Sequence, residues 1–363
     1  MTQREQQILE WIRQDPMISQ EALAERAGIT RSSVGVHISN LMKKGHIAGK
    51  GYILPDSGYV AVAGAVNVDI GGQSAGPLVG RDSNPGKVTV SMGGVGRNIA
   101  HNLRLLGVKV SLLTALGEDP HAGQVVDSCE RLGIDLSRVL HVPGGTTSTY
   151  LFLSDETGDM ALAVSDMGIY EKLTPDYFAR HLGFLNGAAL VVADANLPGE
   201  ALAYLAHHCT APLLVDPVST VKAEKVKPIL GKIHTLKPNR MEAELLSGVK
   251  ITDGASARAA ARKLLETGLE RVFISMGEDG VFAADHQQTV AFPCCPARMR
   301  SATGAGDAFA AALAWAFLEG RGLADSARAA NAAASIAVEG ETTINPAMSA
   351  DAVRRRMQEQ EEV

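Results

Sequence analysis

Ile233-His234-Thr235-Leu236-Lys237-Pro238-Asn239-Arg240-Met241-Glu242 reads as the end of a buried strand, a turn, and the first turn of a helix. The apolar and β-branched start suits a strand, Pro238 cannot continue it, and Asn is a favoured helix cap. The same unit recurs on both sides. Short apolar runs at 59–66, 110–114, 189–193, 213–215, 233–236 and 271–275 predict strands. Helical spacing predicts helices at 97–106, 200–208, 241–247, 256–267 and 308–318. Strands alternating with helices imply βαβ units, hence an α/β fold with a mainly parallel sheet covered on both faces.

Two stretches break the rhythm. Residues 72–92 are long and Gly/Pro-rich, and residues 147–166 read as a hairpin turning at 156–159. Neither fits a parallel sheet, so both are expected in a small β lid over one edge of it. A charged terminal helix is expected from Asp351 onward.

Residues 1–50 differ from the rest. Ile8, Leu9 and Ile12 fall at helical spacing within 3–14, Ser19 caps a second helix over 20–27, and Thr30 caps a third over 31–44. Two short helices around a Gly-containing turn mark a helix-turn-helix, and 46–54 suits a β-wing. The third helix offers Arg31, Ser32, Ser33 and His37 as side chains able to reach base edges. Seven Lys/Arg against five Asp/Glu give this head a charge of only about +2. DNA binding and a packing or dimerisation role both stay open.

The whole chain carries a formal charge of -6, which argues against nucleic acid along its full length. Cys129, Cys209, Cys294 and Cys295 lack metal-site spacing and are expected as free thiols in a reducing cytoplasm. No apolar run approaches the roughly 18 residues of a membrane span, so no membrane partner is expected.

In an open α/β sheet, ligands sit beyond the carboxyl ends of the strands. Asn67, Asp69, Asp194, Asp216, Lys237, Asn239 and Gly277 follow proposed strands and should converge there. Thr303-Gly304-Ala305-Gly306-Asp307 runs into an apolar helix, where small residues and free N–H groups can hold an anion. Asp307 is then either a helix cap or a base for an attacking hydroxyl. Gly93-Gly94-Val95-Gly96-Arg97-Asn98 is a second Gly-rich entry to a helix, without dinucleotide GxGxxG spacing. No Walker A sequence occurs. Asn239 and Glu242, three residues apart, suit either a cap or a hydrated Mg²⁺ beside phosphates.

Taken in order, Gly93-Gly94, Lys237 to Glu242, Ser275-Met276-Gly277-Glu278-Asp279-Gly280 and Thr303 to Asp307 resemble the PfkB/ribokinase family over about residues 59–340. The resemblance implies a ribokinase-like three-layer α/β/α sandwich with a small β lid over 59–345, behind a winged helix-turn-helix over 1–55 and before a tail over 346–363. It implies an ATP- and Mg²⁺-dependent kinase with Asp307 as base and Gly304, Ala305 and Gly306 as anion hole. Asn67, Asp69, Gly93, Gly94, Arg97, Asn98 and Asp194 would meet the substrate. Asn239, Ser275, Gly277, Gly280, Thr303 and Asn331 would meet ATP, with Asn239 and Glu242 on Mg²⁺ through water. The lid would also make a homodimer.

The finer resemblance is to the pseudouridine kinase branch, carried by Asp82-Ser83-Asn84-Pro85-Gly86-Lys87, the Val95-Gly96-Arg97-Asn98 run and residues 233–240. It implies phosphorylation of a nucleoside's ribosyl 5′-hydroxyl. Other family substrates (ribose, inosine, guanosine) and a nucleoside-sensing DNA-binding regulator are the competing readings. Many relatives carry an Asp six residues before the base that helps bind a monovalent cation. Here that place holds Ser301, which leaves a K⁺ requirement open.

Overall fold

The computed structural model describes residues 1–47 and 58–361. The body is built on an eight-stranded sheet. Six strands are parallel, in the spatial order Lys109–Leu113, Tyr59–Ala63, Leu190–Asp194, Leu213–Asp216, Thr235–Leu236 and Arg271–Ser275. Two antiparallel strands, Val281–Asp285 and Thr289–Phe292, complete one edge and were not foreseen from the sequence. Their Gly280 entry and 286–288 turn hide a hairpin inside what reads as loop.

Alternation along each strand feeds two cores. Val60, Val62, Leu190 and Val192 face helices Val95–Leu105, Ala305–Leu318 and Leu323–Val338. Ala61, Ala63, Val191 and Ala193 face helices Pro175–Gly187, Gly199–His208 and Gly254–Leu265. Burial on both faces explains why these strands read as continuous apolar runs. The result is the three-layer sandwich.

The run 59–66 is not one strand. The first strand ends at Ala63, and a second, Asn67–Ser74, leaves the main sheet for the lid. There it pairs with Gly86–Gly93 and Thr149–Ser154, the latter pairing in turn with Met160–Asp166. Register puts Ser91, Asp69, Tyr150 and Ser165 in one row, and Val90, Ile70, Leu151 and Val164 in the next. Successive rows point to opposite faces. One face meets a cavity; the other leaves Val88, Val90, Leu151, Leu153, Leu162 and Val164 exposed.

The head folds as three helices, Gln3–Gln14, Gln20–Ala27 and Arg31–Lys43, around Ile8, Ile12, Leu23, Val34 and Leu41. Ser19 and Thr30 accept from the backbone N–H three residues on, and Gly28 takes the left-handed conformation that ends the second helix. Glu5 is 2% exposed and pairs with Lys44 at 2.7 Å. The wing expected over 46–54 falls almost entirely outside the described residues.

Candidate active site

The carboxyl ends of the central strands bring two aspartates side by side, since Asp216 and Asp194 are register partners. Each is held differently. Asp194, 1% exposed, accepts from the Ala65 backbone N–H at 2.8 Å and the Asn196 N–H at 2.9 Å. It was expected to touch substrate; instead its carboxylate ties the first strand's end to its own loop. Asp216 accepts from Lys237 Nζ at 2.9 Å, both side chains being less than a tenth exposed. Burial opposes the Lys237 charge, but Asp216 outweighs it, and the pKa of the ammonium is raised.

Above this pair sits the start of helix Ala305–Leu318, with Gly304 as cap at φ 85°. A Cβ on Gly304 would fall on the Thr343 carbonyl oxygen, and one on Gly306 would lie 3.1 Å from Lys237 Nζ. Glycine is therefore required for conformation at 304 and, at 306, lets an ammonium lie against the helix start. The N-terminal amides, the dipole and Lys237 together make a site for negative charge.

Asp307 stands on the first turn of that helix, and its Oδ2 accepts from Asn98 Nδ2 at 2.9 Å. Burial, then the nearby Asp216, push its pKa up to about 7, while Asn98 and Lys237 pull downward. A carboxylate so poised can take a proton near neutral pH.

Two cavities flank the segment from Ser301 to Gly306. One of about 460 Å³ is lined by Ser275, Gly277, Gly280, Ala305, Gly306 and Asn331. Asn331 Nδ2 donates to the Pro293 carbonyl at 2.6 Å, which fixes its orientation. The other, about 850 Å³, lies under the lid and is lined by Asp69, Arg97, His101, Tyr150, Phe152 and Thr303. Thr303, expected on the nucleotide side, thus faces the lid side.

Asp69 sits against Gly93, which has no Cβ to obstruct it. Burial raises its pKa to about 6, opposed by Arg97. Gly94, at φ 94°, lets the backbone pass Ala65, since a Cβ there would be 2.5 Å from the Ala65 carbonyl oxygen. Arg97 is not on the helix surface: it is 5% exposed and donates to the Met92 carbonyl and the Ser128 hydroxyl. Asn67 is buried and accepts from Ser148 Oγ at 2.8 Å. His101, Tyr150 and Phe152 were missed. The alternation in Thr149-Tyr150-Leu151-Phe152-Leu153 carried the signal for the two aromatics, which share one face.

Asn239 and Glu242 form a reciprocal capping box at the start of helix Arg240–Ser247. Glu242 also accepts from Asn239 Nδ2 at 2.8 Å, and its pKa is raised, first by burial. Among the described residues no group of three His, Cys, Asp or Glu could by itself hold a metal. Asp216, Glu242, Asp194 and Asp307 nonetheless gather four carboxylates around Lys237 and Lys222, an excess of negative charge that suits a cation carried in with phosphates.

In the head, Arg31 and Ser32 are exposed, Arg31 pairing with Glu21 at 3.0 Å. Ser33 is drawn into the Thr30 cap and His37 is half-buried. All four cysteines are free, and no helix among the described residues is long and apolar enough to cross a membrane.

Residues 57–350 match the model of the pfkB family carbohydrate kinases, and residues 1–47 match a winged helix-turn-helix DNA-binding model. The chain is 38% identical over 353 residues to the uncharacterized sugar kinase YeiI of Escherichia coli (strain K12), covering 97% of this chain and 98% of that one. It is 41% identical over 293 residues to the pseudouridine kinase of the same organism, covering 80% of this chain and 94% of that one. The crystal structure of a putative sugar kinase from Clostridium perfringens matches with a TM-score of 0.77 and 33% identity, over 84% of this chain and 96% of that one.

Proposed function

The chain belongs to the pfkB family of carbohydrate kinases, and on that premise we propose that it transfers the γ-phosphoryl group of ATP to the ribosyl 5′-hydroxyl of a nucleoside, with pseudouridine as substrate. The observation that carries the reading is Asp307, a carboxylate whose pKa is raised to about 7, on the first turn of a helix whose entry lines two cavities, Ala305 and Gly306 the smaller and Thr303 the larger. ATP occupies the smaller cavity, its adenine near Asn331 and its phosphates running past Gly277 toward Gly304, Ala305 and Gly306. The nucleoside occupies the larger one, its hydroxyls near Asp69 and Asn67. Asp307 takes the 5′-hydroxyl proton as the oxygen attacks in line. Lys237 and the amides at the helix start hold the transferring group, whose charge needs stabilising more than its bonds need breaking. Asn239 and Glu242 would hold Mg²⁺ through water, where it would offset phosphate charge.

A nucleoside fits the lid side better than a bare sugar because Tyr150 and Phe152 line it, their ring centroids 5.8 Å apart. Turnover with ATP and a panel of pseudouridine, uridine, inosine, adenosine and ribose tests the reading. Preference for pseudouridine supports it; turnover of ribose alone removes the nucleoside claim.

Two further proposals go with this one. The exposed apolar outer face of the lid packs against a second copy, giving a homodimer. The head binds DNA through its third helix, in a manner that weakens steeply with salt. Sequence-specific binding that persists without residues 1–47 would contradict the second.

A further inference from the structure

Cys294, Cys295, Ala297 and Met299 form one wall of the cavity of about 460 Å³. Residues 293–299 are neither helix nor strand, so the wall depends on side-chain ties to hold its place. Several of those ties come from the C-terminal helix Ala350–Glu361, which is anchored by Val353 and Met357 in the body's core. Arg356 Nη1 donates to the Pro296 carbonyl at 3.3 Å and to the Ser335 hydroxyl at 2.9 Å, and Ser335 itself lines the cavity. Arg356 Nη2 donates to Glu339 Oε2 at 3.1 Å, while Glu339 Oε1 accepts from the Arg298 backbone N–H at 3.4 Å. One turn on, Gln360 Nε2 donates to Cys295 Sγ. A single guanidinium thus ties the irregular wall to the helix Leu323–Val338 opposite it.

We propose that Arg356 is a positioning residue for the nucleotide, holding the 293–299 wall against Ser335 so that the cavity is already shaped when ATP arrives. This rests on the kinase reading above, in which that cavity takes ATP. Arg356 touches neither ligand nor reacting atoms; it acts through Pro296, Ser335 and Glu339. A wall held before binding spares the ligand the cost of ordering it, and an unheld wall lowers apparent affinity by the fraction of time it is misplaced. The phosphoryl step, at the other end of the nucleotide, should be indifferent to it. Arginine suits the task because its planar fork of donors serves several acceptors at once, where a lysine ammonium is a point charge.

The test is Arg356→Met, which keeps the apolar stem, beside Arg356→Lys and a control, Arg354→Met. Arg354 lies on the same helix but bonds Glu319 and Asp351, away from the cavity lining. Calorimetric binding of ATP and of its β,γ-imido analogue should weaken about fivefold to thirtyfold in Arg356→Met, the scale of one or two lost hydrogen bonds. KM for ATP should rise alike, while kcat at saturating ATP and KM for the nucleoside stay within about twofold. Arg356→Lys should lie between, and Arg354→Met should bind as the wild type does. Unchanged affinity in Arg356→Met would overturn the inference. So would an equal loss in Arg354→Met, since docking of the helix as a whole would then be the cause. A second readout needs no nucleotide. Cys295 is 3% exposed and burial pushes its thiol up to about 11, so it reacts only when the wall moves. In a Cys294→Ser background, Arg356→Met should speed labelling of Cys295 by an aromatic disulfide, with Arg354→Met leaving the rate unchanged. If the wild-type protein binds no ATP, the kinase reading fails and this labelling decides the positioning claim: a faster rate supports it and an unchanged one overturns it.

Discussion

Replacing Lys237 by Met tests how the site holds its charge. The side chain keeps its apolar stem and loses the ammonium that lies 2.9 Å from Asp216 Oδ2. Lys237 and Asp216 are 7% and 4% exposed, so water cannot take the lysine's place without disturbing the strand ends. Breaking such a buried pair costs about 3–5 kcal/mol, most of it from stranding the remaining charge. Two tryptophans make the measurement clean. Trp11 is in the head and Trp315 is in the body's core, so a Trp11→Phe background leaves Trp315 as sole reporter of denaturant unfolding. Lys237→Met should lose about 3 kcal/mol or more, and adding Asp216→Asn should recover most of it, since both partners are then neutral. Rate should behave otherwise. The ammonium lies against Gly306 at the anion site, and removing one such charge costs about 10²–10³ in kcat. The second substitution should not restore that loss. It should, however, return the acid limb of the pH profile, because Lys237 lowers the Asp307 pKa and Asp216 raises it. A Lys237→Met protein with unchanged stability, or a double variant no more stable than the single, would refute the argument.

Gly304→Ala should abolish turnover and lower Tm by several degrees, because φ 85° and the Thr343 carbonyl leave no room for a Cβ; calorimetry with a kinase assay checks this. Leu162→Glu with Val164→Glu, both exposed on the lid's outer face, should convert the proposed dimer to a monomer in sedimentation while leaving the Tm of the body within about 2 °C. Glu5→Ala should loosen the head and leave kcat unchanged, read by Trp11 fluorescence. In the wild type the Glu5 pKa is lowered from 4.5 to about 2, chiefly by the Lys44 hydrogen bond. The pair's stabilisation is therefore fully present above pH 4.5 and lost as pH falls toward 2.

The sequence made some of this legible and hid the rest for physical reasons. Lys237 to Glu242 and Gly304 to Asp307 are each contiguous, so turn and cap chemistry shows in the residues themselves. The central strands showed because burial on both faces makes them apolar throughout. The departure of Asn67–Ser74 into the lid did not show, since Val66 and Val68 continue the apolar run while the chain changes sheets. Helix Pro120–Arg131 was hidden by polar residues on its outer side, although Asp119 caps it and Pro120 opens it. The Asn98–Asp307 bond joins residues 209 apart, and no local pattern announces such a pair. The aspartates were read alike from their places after strands. Only the structure separates Asp194, held by backbone amides, from Asp216, held by a lysine.

The most direct measurement is the turnover of Asp307→Asn with ATP and pseudouridine, alongside equilibrium binding of both ligands. The carboxamide keeps the shape of the side chain and cannot take the proton. Without the base, kcat should fall by about 10²–10⁴, the range of a lost general base, with both binding constants within a few-fold of wild type. A variant that turns over near the wild-type rate would contradict it.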